Sequence, residues 1–555
     1  MRIRPLVFLA LLAFAAPAAA EDVPAGYTYS DEWLQSVDGT QLHAGVFLPA
    51  DRAPGERHPV IMVPGPYTSP NGGVATGTAS NTSGPVIRFP ELFDQQPFKD
   101  GRYGYVQLDV RGFGGAGGCY EYYGENEAKD VAVGTTWASK RDWSNGKIAL
   151  WGKSYDAADA LLGVAERPEG LAAAVIQSPG LSAYTALWMN GVHYATGRYA
   201  TTATYTADDV GPAQNGDYLT SPEYAQSNLA PVTSLPSNPT CRTDALVGMN
   251  TIGDRDDPFW ANREPYKKAV GATTPVLWSH GFYDANTKPV HMDIWNGLAG
   301  PKWAWFGGYT HVRGHEAGVG RRGFLEQAFR FLDTYLRGAE TGIADDPPVT
   351  VQETDPSAKW RVEQQWPPAD AQPWAMPVRA GTYTDAPGNS AYALPSDGVW
   401  SITAPLAGNA HLAGEAKLDV PVTTTVPGAH LTALLYDLDA TGKATFVQRG
   451  AFAIDGTGAQ RAAFTLYPQD YRFAKGHRIA LLVAEGDDDW FSPGTTATDV
   501  TVGAGTLTLP LLRIARTKFV SGGASDGMKA NSFTVPAETI AAGGVEGAPP
   551  AQDTP

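Results

Sequence analysis

Residues 148–157 read Ile148-Ala149-Leu150-Trp151-Gly152-Lys153-Ser154-Tyr155-Asp156-Ala157. An apolar run typical of a buried strand leads into a Gly-x-Ser turn, and the alanine-rich stretch after the turn is typical of a helix. A sharp strand-to-helix turn of this kind lifts a serine hydroxyl out of the edge of a sheet. The start of the helix brings positive potential to the point where an oxyanion would form. The stretch therefore predicts Ser154 as a nucleophile.

The Gly-x-Ser pattern alone is too common to identify a nucleophile. A complete Gly-x-Ser-x-Gly occurs at 523–527, and Gly-x-Ser also occurs at Gly180 and Gly388. The segment 523–527 lies in a β-rich part of the chain with no helical pattern after it. Ser154 has both the strand and the helix, although Asp156 takes the place of the second glycine. The context therefore favours Ser154.

Between about residues 100 and 340, short apolar runs alternate with amphipathic helices, which is typical of a parallel α/β sheet. The aromatic-rich stretch 182–262 interrupts this alternation and predicts a cap over the carboxyl edge of the sheet. After a proline-rich boundary near 346–377, short alternating runs between regular turns predict a β-sandwich or jelly roll. Strands are predicted at 105–108, 148–151, 172–176, 275–278 and 303–306, and helices at 128–141, 157–165 and 324–337.

A serine nucleophile needs a base to accept its proton and a carboxylate to orient that base. Asp284 follows the predicted strand 275–278, and His311 follows the next predicted strand, 303–306. Because the carboxyl ends of parallel strands meet at one edge of a sheet, we expect both side chains in the crevice of Ser154. The order serine, aspartate, histidine is the order of the α/β-hydrolase fold.

Other histidines offer alternatives. His315 lies four residues after His311 and is a second candidate for the base, or the pair could bind a metal on one helix face. Gly314 and the surrounding composition argue against a helix, and no Glu-x-x-His pattern is nearby, so His311 is favoured and no metal is expected. His280 and His291 are expected to be structural or to line the cleft.

Taken together and in order, these motifs resemble the X-prolyl dipeptidyl-peptidase and cocaine esterase family of serine hydrolases. The segments 152–155, 281–284 and 307–311 are similar to its nucleophile, acid and base motifs. Further segments similar to family signatures are 109–112, 331–338 and 476–479. The resemblance covers roughly residues 30 to 515 and implies an α/β-hydrolase core with a C-terminal jelly roll.

The expected organisation is a signal peptide, a capped α/β-hydrolase domain, a β-sandwich and a low-complexity, disordered tail. The corresponding ranges are 1–20, 21–345 with a helical cap at about 182–262, 346–540 and 541–555. The resemblance also implies the two oxyanion donors, the hydroxyl of Tyr67 and the backbone N–H of Tyr155.

The turn departs from the family pattern at two positions. Ala157 stands where the family usually has glycine, and alanine is small enough to keep the turn. Asp156 is open to two interpretations. It is either a helix N-terminal charge stabilised by the helix dipole, which is the favoured interpretation, or a contact for a cationic group of the substrate.

Composition and charge exclude several functions. The chain has 555 residues and a formal net charge of −17, with no basic cluster, which argues against nucleic-acid and anionic-membrane partners. No apolar window is long enough for a transmembrane helix, and no cofactor is indicated. The oligomeric state is left open by the sequence.

The N-terminus predicts export. Arg2 and Arg4, an apolar run at 6–14 and Ala18-Ala19-Ala20 form a secretory signal, with cleavage expected after Ala20. An uncleaved anchor is the alternative. In an oxidising compartment Cys119 and Cys241, the chain's two cysteines, are expected to form a disulfide, with two buried free thiols as the alternative.

The predicted function is a secreted or periplasmic serine hydrolase acting on a peptide or small ester, most consistent with X-prolyl dipeptidyl-peptidase activity. Such an enzyme needs a carboxylate for the free amine of its substrate. Acidic candidates in or beside the cap are Asp208, Asp209, Asp256, Asp257 and Glu264. The alternatives are a carboxylesterase or amino-acid ester hydrolase, and a non-catalytic binding protein on a hydrolase scaffold.

Overall fold

The structure is a computed structural model that describes residues 23–67, 87–195, 247–290, 292–528 and 532–554. The predicted signal peptide, the central part of the predicted cap and Cys241 lie outside the described residues. So do Asp208, Asp209 and His291. Within the described ranges, no helix has the length and apolar character that crossing a membrane requires.

The first domain is built on a ten-stranded sheet whose central strands are parallel. In chain order the strands are β1 (Tyr27–Gln35), β2 (Gln41–Pro49), β3 (His58–Gly65), β4 (Gly104–Asp109), β5 (Ser144–Lys153), β6 (Leu171–Gln177), a short hairpin β7 (Trp188–Met189) and β8 (Val192–His193) outside the sheet, β9 (Val276–Gly281), β10 (Lys302–Gly307), β11 (Val349–Gln352) and β12 (Trp360–Glu363). Their order in the sheet is β1-β2-β4-β3-β5-β6-β9-β10-β11-β12. The strands from β4 to β11 pair in parallel, so their carboxyl ends share one edge.

Helices cover both faces of this sheet. The helices of this domain with described bounds are α1 (Gln96–Lys99), α2 (Glu125–Ser139), α3 (Tyr155–Glu166), α4 (Ala183–Leu187), α5 (Pro258–Ala261), α6 (Met292–Gly297) and α7 (Phe324–Arg337), and α8 (Ala537–Ala542) lies against the second domain. Helices α2 and α3 pack together against β5, whereas α7 packs on β3, β5 and β6 through a separate apolar cluster. The prediction of α7 at 324–337 is confirmed, and the helix ends at Gly338, which adopts the left-handed φ of 70° that glycine favours.

The second domain is the predicted β-sandwich. Its strands are β13 (Ala371–Val378), β14 (Gly381–Thr384), β15 (Val399–Ile402), β16 (Ala410–Gly414), β17 (Lys417–Thr424), β18 (Ala429–Leu438), β19 (Lys443–Ile454), β20 (Gly458–Thr465), β21 (Gln469–Phe473), β22 (Arg478–Ala484), β23 (Asp499–Val502), β24 (Gly505–Leu512) and β25 (Ser532–Thr534). They form an eight-stranded and a five-stranded sheet around an aliphatic core. The predicted fold class, an α/β-hydrolase core followed by a β-sandwich, is confirmed.

The boundary between the domains lies later than the predicted 345/346. After α7 the chain enters β11, which pairs in parallel with β10 through Ala304 and Val349, and β12 then completes the sheet in the antiparallel sense. The reason is that β11 continues the strand–helix alternation of the first domain, although it follows the start of the proline-rich stretch. The range assigned to the sandwich therefore includes two strands of the first sheet.

The structure also differs from the expected disordered tail at 541–555. Helix α8 begins before this range, and the backbone N–H of Val545 donates to the carbonyl of Ile402 at 2.9 Å. Farther on, the N–H of Asp553 donates to the carbonyl of Arg513 at 2.7 Å. The composition of the tail is low in complexity, but its backbone groups pair with strand edges of the sandwich, and such pairing requires no particular side chains.

Candidate active site

Ser154 occupies the sharp turn between β5 and α3. Its φ of 68° and ψ of −123° are unusual for a residue with a side chain, and such strain costs about 1–3 kcal/mol. The backbone N–H of Ser154 donates to the carbonyl of Gln177 on β6 at 3.0 Å, which anchors the turn to the sheet. The serine is 9% exposed. The strand, strained turn and helix expected of a nucleophile elbow are all present.

Close packing explains which residues flank the serine. A Cβ on Gly152 would lie 2.2 Å from the carbonyl carbon of Asp156, so only glycine fits there. Ala157 is fully buried and, being small, is accommodated in the first turn of α3. The turn therefore keeps its close approach even though the second glycine of the usual motif is absent.

Asp284 lies in the loop after β9 and is fully buried. Its Oδ1 accepts hydrogen bonds from the backbone N–H groups of Asn286 at 2.9 Å and Thr287 at 3.1 Å. Its Oδ2 accepts a hydrogen bond of 2.9 Å from the hydroxyl of Thr287. Burial raises the pKa of Asp284, but His311 and His280 outweigh burial and hold the pKa well below its usual value. Asp284 is therefore a fixed, ionised hydrogen-bond acceptor.

His311, in the loop after β10, pairs with this carboxylate. Its Nδ1 lies 2.8 Å from Oδ2 of Asp284. Because an ionised carboxylate only accepts, Nδ1 carries the hydrogen and Nε2 is left as the acceptor. Burial and the nearby Lys153 lower the pKa of His311, against the opposing effect of Asp284. The ring is thus neutral at neutral pH, in the tautomer that a general base needs.

The three predicted residues lie at the same edge of the sheet. Ser154, Asp284 and His311 follow β5, β9 and β10, whose parallel neighbours run β5-β6-β9-β10. Lys153, directly before the serine, is close enough to Asp284 and His311 for their charges to affect one another. The structure brings Asp284 and His311 into direct contact and places Ser154 at the same edge.

The two residues that carry the oxyanion donors implied by the family resemblance, Tyr67 and Tyr155, have their rings in contact. Tyr67 follows the end of β3, and its ring lies edge-on to the ring of Tyr155 at 6.5 Å. The buried hydroxyl of Tyr155 donates to Oε2 of Glu127 at 3.1 Å. Tyr155 is the first residue of α3, so its backbone N–H lies at the start of the helix, directly after Ser154.

His315 and His280 have different surroundings. Nε2 of His315 lies 3.4 Å from Glu91 and not against Asp284, which favours His311 as the base. His280 is fully buried on β9, and its Nε2 lies 3.4 Å from Oδ2 of Asp284, so it helps to stabilise the carboxylate. The described part of the chain contains no cluster of His, Cys, Asp or Glu side chains suited to a metal ion.

Among the acidic residues considered for a substrate amine, Glu264 and Asp257 have other roles in the structure, whereas Asp256 is exposed. Glu264 forms an ion pair of 2.8 Å with Arg255 and a second one with Lys267. Asp257 caps α5 by accepting from the N–H of Phe259 at 2.8 Å. These carboxylates are occupied within the protein.

Two residues at the site were not singled out from the sequence. Thr287 fixes both oxygens of Asp284 in a local turn, which the Asp-x-x-Thr spacing after a strand could have indicated. Arg88 pairs with Asp156 at 2.6 Å, and no local pattern indicates a contact between residues so far apart. Asp156 is therefore engaged by an arginine of the same chain.

Ser525 and Cys119 complete the predicted positions. Ser525 is buried in an otherwise exposed loop, where its hydroxyl donates to the carbonyl of Val319 at 2.5 Å. The next described element is the strand β25 and not a helix, so the complete Gly-x-Ser-x-Gly motif is structural. Cys119 is disulfide-bonded. Its predicted partner Cys241 lies outside the described residues.

Comparison with known proteins agrees with this geometry. The model of the X-Pro dipeptidyl-peptidase (S15) family matches residues 38–313, and the model of the X-Pro dipeptidyl-peptidase C-terminal non-catalytic domain matches residues 341–526. The chain belongs to the X-Pro dipeptidyl-peptidase (S15) family. The resemblance read from the motifs is confirmed, and this S15 family member is a hydrolase.

Similarity to known proteins extends over most of the length of this S15 family chain. A Streptomyces avermitilis protein named "Putative Xaa-Pro dipeptidyl-peptidase" is 25% identical over 635 residues, covering 93% of this chain and 88% of the relative. A CocE/NonD family hydrolase of Staphylococcus aureus superposes with a TM-score of 0.65 at 15% identity, covering 91% of this chain and 100% of the other. An α-amino acid ester hydrolase superposes with a TM-score of 0.63 at 16% identity, covering 92% and 100%. The structural neighbours share the fold.

Proposed function

We propose that this protein is a serine hydrolase in which Ser154 is the nucleophile, His311 the general base and Asp284 the residue that orients His311. The observation that carries the proposal is the 2.8 Å hydrogen bond between Nδ1 of His311 and Asp284, at the same sheet edge as the strained turn of Ser154. This bond fixes the tautomer in which Nε2 accepts the serine proton.

The reaction would proceed through an acyl-enzyme. Ser154 attacks the substrate carbonyl while Nε2 of His311 accepts its proton, and the tetrahedral oxyanion is stabilised by the hydroxyl of Tyr67 and the N–H of Tyr155. The imidazolium then donates the proton to the leaving group. Water, activated by the same histidine, hydrolyses the acyl-enzyme and releases Ser154.

The substrate class that the family supports best is a peptide with proline as its second residue, from which an Xaa-Pro dipeptide is released. The support is the S15 match over 38–313 and the name of the Streptomyces relative. Amide hydrolysis requires protonation of a poor leaving group, and a neutral histidine that becomes charged on accepting the serine proton can supply that proton.

The test compares three chromogenic substrates: glycyl-prolyl-p-nitroanilide, glycyl-phenylalanyl-p-nitroanilide and p-nitrophenyl acetate. We expect the highest kcat/KM on the prolyl substrate and the loss of turnover in Ser154→Ala with the melting temperature retained. If the protein hydrolyses p-nitrophenyl acetate but does not cleave the prolyl substrate, the proposed activity becomes that of an esterase. Full activity in Ser154→Ala would contradict the proposed nucleophile, and absence of turnover on all three would favour a binding role.

We also propose that the protein is exported, with cleavage after Ala20 and a disulfide between Cys119 and Cys241. The support is the charged and apolar pattern of the first twenty residues together with the disulfide-bonded state of Cys119. N-terminal sequencing of the exported protein should begin at Glu21. Alkylation without reductant should leave both cysteines unlabelled, whereas labelling of both would contradict the bridge.

A further inference from the structure

Arg88 contacts residues from two different parts of the proposed oxyanion hole. Its guanidinium carbon lies 4.2 Å from the centre of the Tyr67 ring, and its Nε donates a hydrogen bond of 2.6 Å to Oδ2 of Asp156. Tyr67 follows the end of β3, and Asp156 lies in the first turn of α3, two residues after Ser154. Arg88 therefore connects the segment that carries one proposed donor to the helix that carries the other.

The position of Arg88 is itself fixed by the sheet. Its backbone N–H donates to Oε1 of Gln107 on β4 at 2.5 Å, and the hydroxyl of Tyr105 on the same strand donates to its carbonyl. The side chain is 22% exposed, so most of it is packed against its neighbours. The backbone of Arg88 is thus anchored to β4, and its guanidinium extends from there to the Tyr67 ring.

Asp156 packs closely against the end of β3, two residues before Tyr67. It is 1% exposed, and a Cβ on Gly65 would lie 2.0 Å from its Oδ1. Burial raises the pKa of Asp156 to about 6, with Arg88 acting in the opposite direction, so the carboxylate is ionised at neutral pH. Because Gly65 has no side chain, the Asp156 carboxylate fits beside it and can accept the hydrogen bond from Arg88.

We propose that Arg88 and Asp156 are positioning residues that hold the Tyr67 side chain in the oxyanion hole beside Ser154. The inference rests on the proposed function, because it assumes that Tyr67 donates to the oxyanion. It gives Asp156 a role that neither interpretation from the sequence included. The aspartate orients an arginine of the same chain and contacts no substrate.

The physical reason is that the two donors come from separate elements but must point at one oxygen. The hydroxyl of Tyr67 sits at the end of a side chain with two rotatable bonds, whereas the N–H of Tyr155 is part of the backbone of α3. A cation over an aromatic face restrains the ring, and a charge-assisted hydrogen bond to a buried carboxylate restrains the cation. Misplacement of a catalytic group by about 1 Å can cost about 10²-fold in rate.

The test measures kcat and KM on one neutral ester for Arg88→Met, Asp156→Asn and Tyr67→Phe, and for Arg88→Met combined with Tyr67→Phe. We expect Tyr67→Phe to lower kcat about 10²–10³-fold. Arg88→Met and Asp156→Asn should each lower kcat about 10–10²-fold, with KM changed less than about threefold. In the Tyr67→Phe background, Arg88→Met should lower kcat by less than about threefold, because coupled residues are not additive.

Controls separate positioning from stability. Arg330→Met removes another arginine–aspartate pair, the one that α7 forms with Asp346, and should leave kcat within about twofold. Melting temperatures identify variants that fail to fold. If Arg88→Met folds poorly, Arg88→Lys takes its place in the test. The lysine keeps a cation near the Tyr67 ring, so Arg88→Lys should retain more activity than Arg88→Met.

Two results would overturn the inference. The first is an Arg88→Met effect on kcat that is equally large with and without the Tyr67 hydroxyl. The second is a rise in KM with kcat unchanged, which would make Arg88 a substrate contact. Either result leaves the proposed function standing, provided that Ser154→Ala is inactive. Activity in Ser154→Ala would instead contradict the proposed function itself.

Discussion

His43 and His311 each contact an aspartate, yet the pKa of His43 is raised and that of His311 is lowered. Nδ1 of His43 lies 2.8 Å from Asp109, and its Nε2 lies 2.9 Å from Asp31. Nδ1 of His311 makes the same 2.8 Å contact with Asp284, but its other nitrogen faces no second carboxylate among the described residues. The difference between the two rings is the number of carboxylates, and not the length of the bond.

That difference sets the protonation state. Burial lowers the pKa of His43, but hydrogen bonds to Asp109 and Asp31 outweigh burial and raise the pKa to about 9. His311 has a lowered pKa, because burial and Lys153 outweigh Asp284. His43 is therefore a charged structural group with both nitrogens engaged. An aspartate–histidine contact identifies a general base only where one ring nitrogen can accept a proton.

Removal of His311 should have the largest effect. His311→Ala removes the proposed base, so kcat on the best substrate is expected to fall about 10⁶-fold, as in serine hydrolases that lose a member of the triad. The melting temperature should change little, because His311 lies in a loop at the sheet edge. A steady-state assay with the purified variant tests this, and turnover within tenfold of the original protein would refute the assignment.

Asp284→Asn should have the next largest effect. The asparagine keeps the volume but can donate to Nδ1, which favours the wrong tautomer of His311, and a loss of about 10⁴-fold in kcat is expected. Asp109→Asn, the matched change at His43, should leave kcat within about threefold. Equal losses of activity in Asp284→Asn and Asp109→Asn would contradict the assignment of His311 as the base and of His43 as a structural group.

His43→Gln should affect stability and not catalysis. The substitution leaves Asp109 buried without its cationic partner, and breaking such a pair costs about 3 kcal/mol in the free energy of unfolding. Denaturant unfolding followed by tryptophan fluorescence measures this cost. The kcat of the folded fraction should remain within about twofold, and a selective loss of kcat with unchanged stability would place His43 in the catalytic machinery.

The two histidines should also separate in their pH dependence. His43 has a pKa near 6.5 in the unfolded chain and about 9 in the folded protein, so the folded state holds an additional proton between these values. Its stabilising contribution is complete below pH 6.5 and is lost as the pH rises through about 9, by up to about 1.4 kcal/mol per pH unit. The unfolding free energy of the original protein should fall relative to His43→Gln over this range.

Catalysis should follow the other histidine. Because the pKa of His311 lies below 6.5, its deprotonation is complete by neutral pH, and kcat on a neutral ester should already be on its plateau at pH 7. A rate that climbs steeply between pH 7 and 9 would mean that the base carries a raised pKa like that of His43.

The smallest effect is expected at His315. Its partner is Glu91 at 3.4 Å, and it lies in the same loop as His311 without contacting Asp284. His315→Gln should therefore change kcat by less than about threefold in the same ester assay. A loss comparable to that of His311→Ala would show that the base was assigned to the wrong histidine.

Local patterns allowed much of this structure to be predicted. The run 148–157 forms the strand, turn and helix in the expected places, and α7 has the predicted bounds, because apolar spacing and a terminal glycine are local signals. The position of β11 could not be predicted in the same way. Its place beside β10 depends on pairing partners, which short apolar runs do not specify.

The placement of the proposed catalytic residues at one sheet edge was also predictable, since each residue follows a recognisable strand. The pairing of Asp156 with Arg88 was not, because a contact across 68 positions leaves no trace in local spacing. The same holds for the two carboxylates that clamp His43. The proposed catalytic residues lie in local sequence motifs. The residues that position them or shift their pKa values are brought together only by the tertiary fold.

The most direct test of the central claim is covalent labelling with a fluorophosphonate followed by peptide mass spectrometry. The reagent reacts only with a serine activated by a base, so we expect a single adduct on Ser154, slow labelling of His311→Ala and none of Ser154→Ala. Labelling at Ser525 in the complete Gly-x-Ser-x-Gly motif, or unchanged labelling of Ser154→Ala, would contradict it.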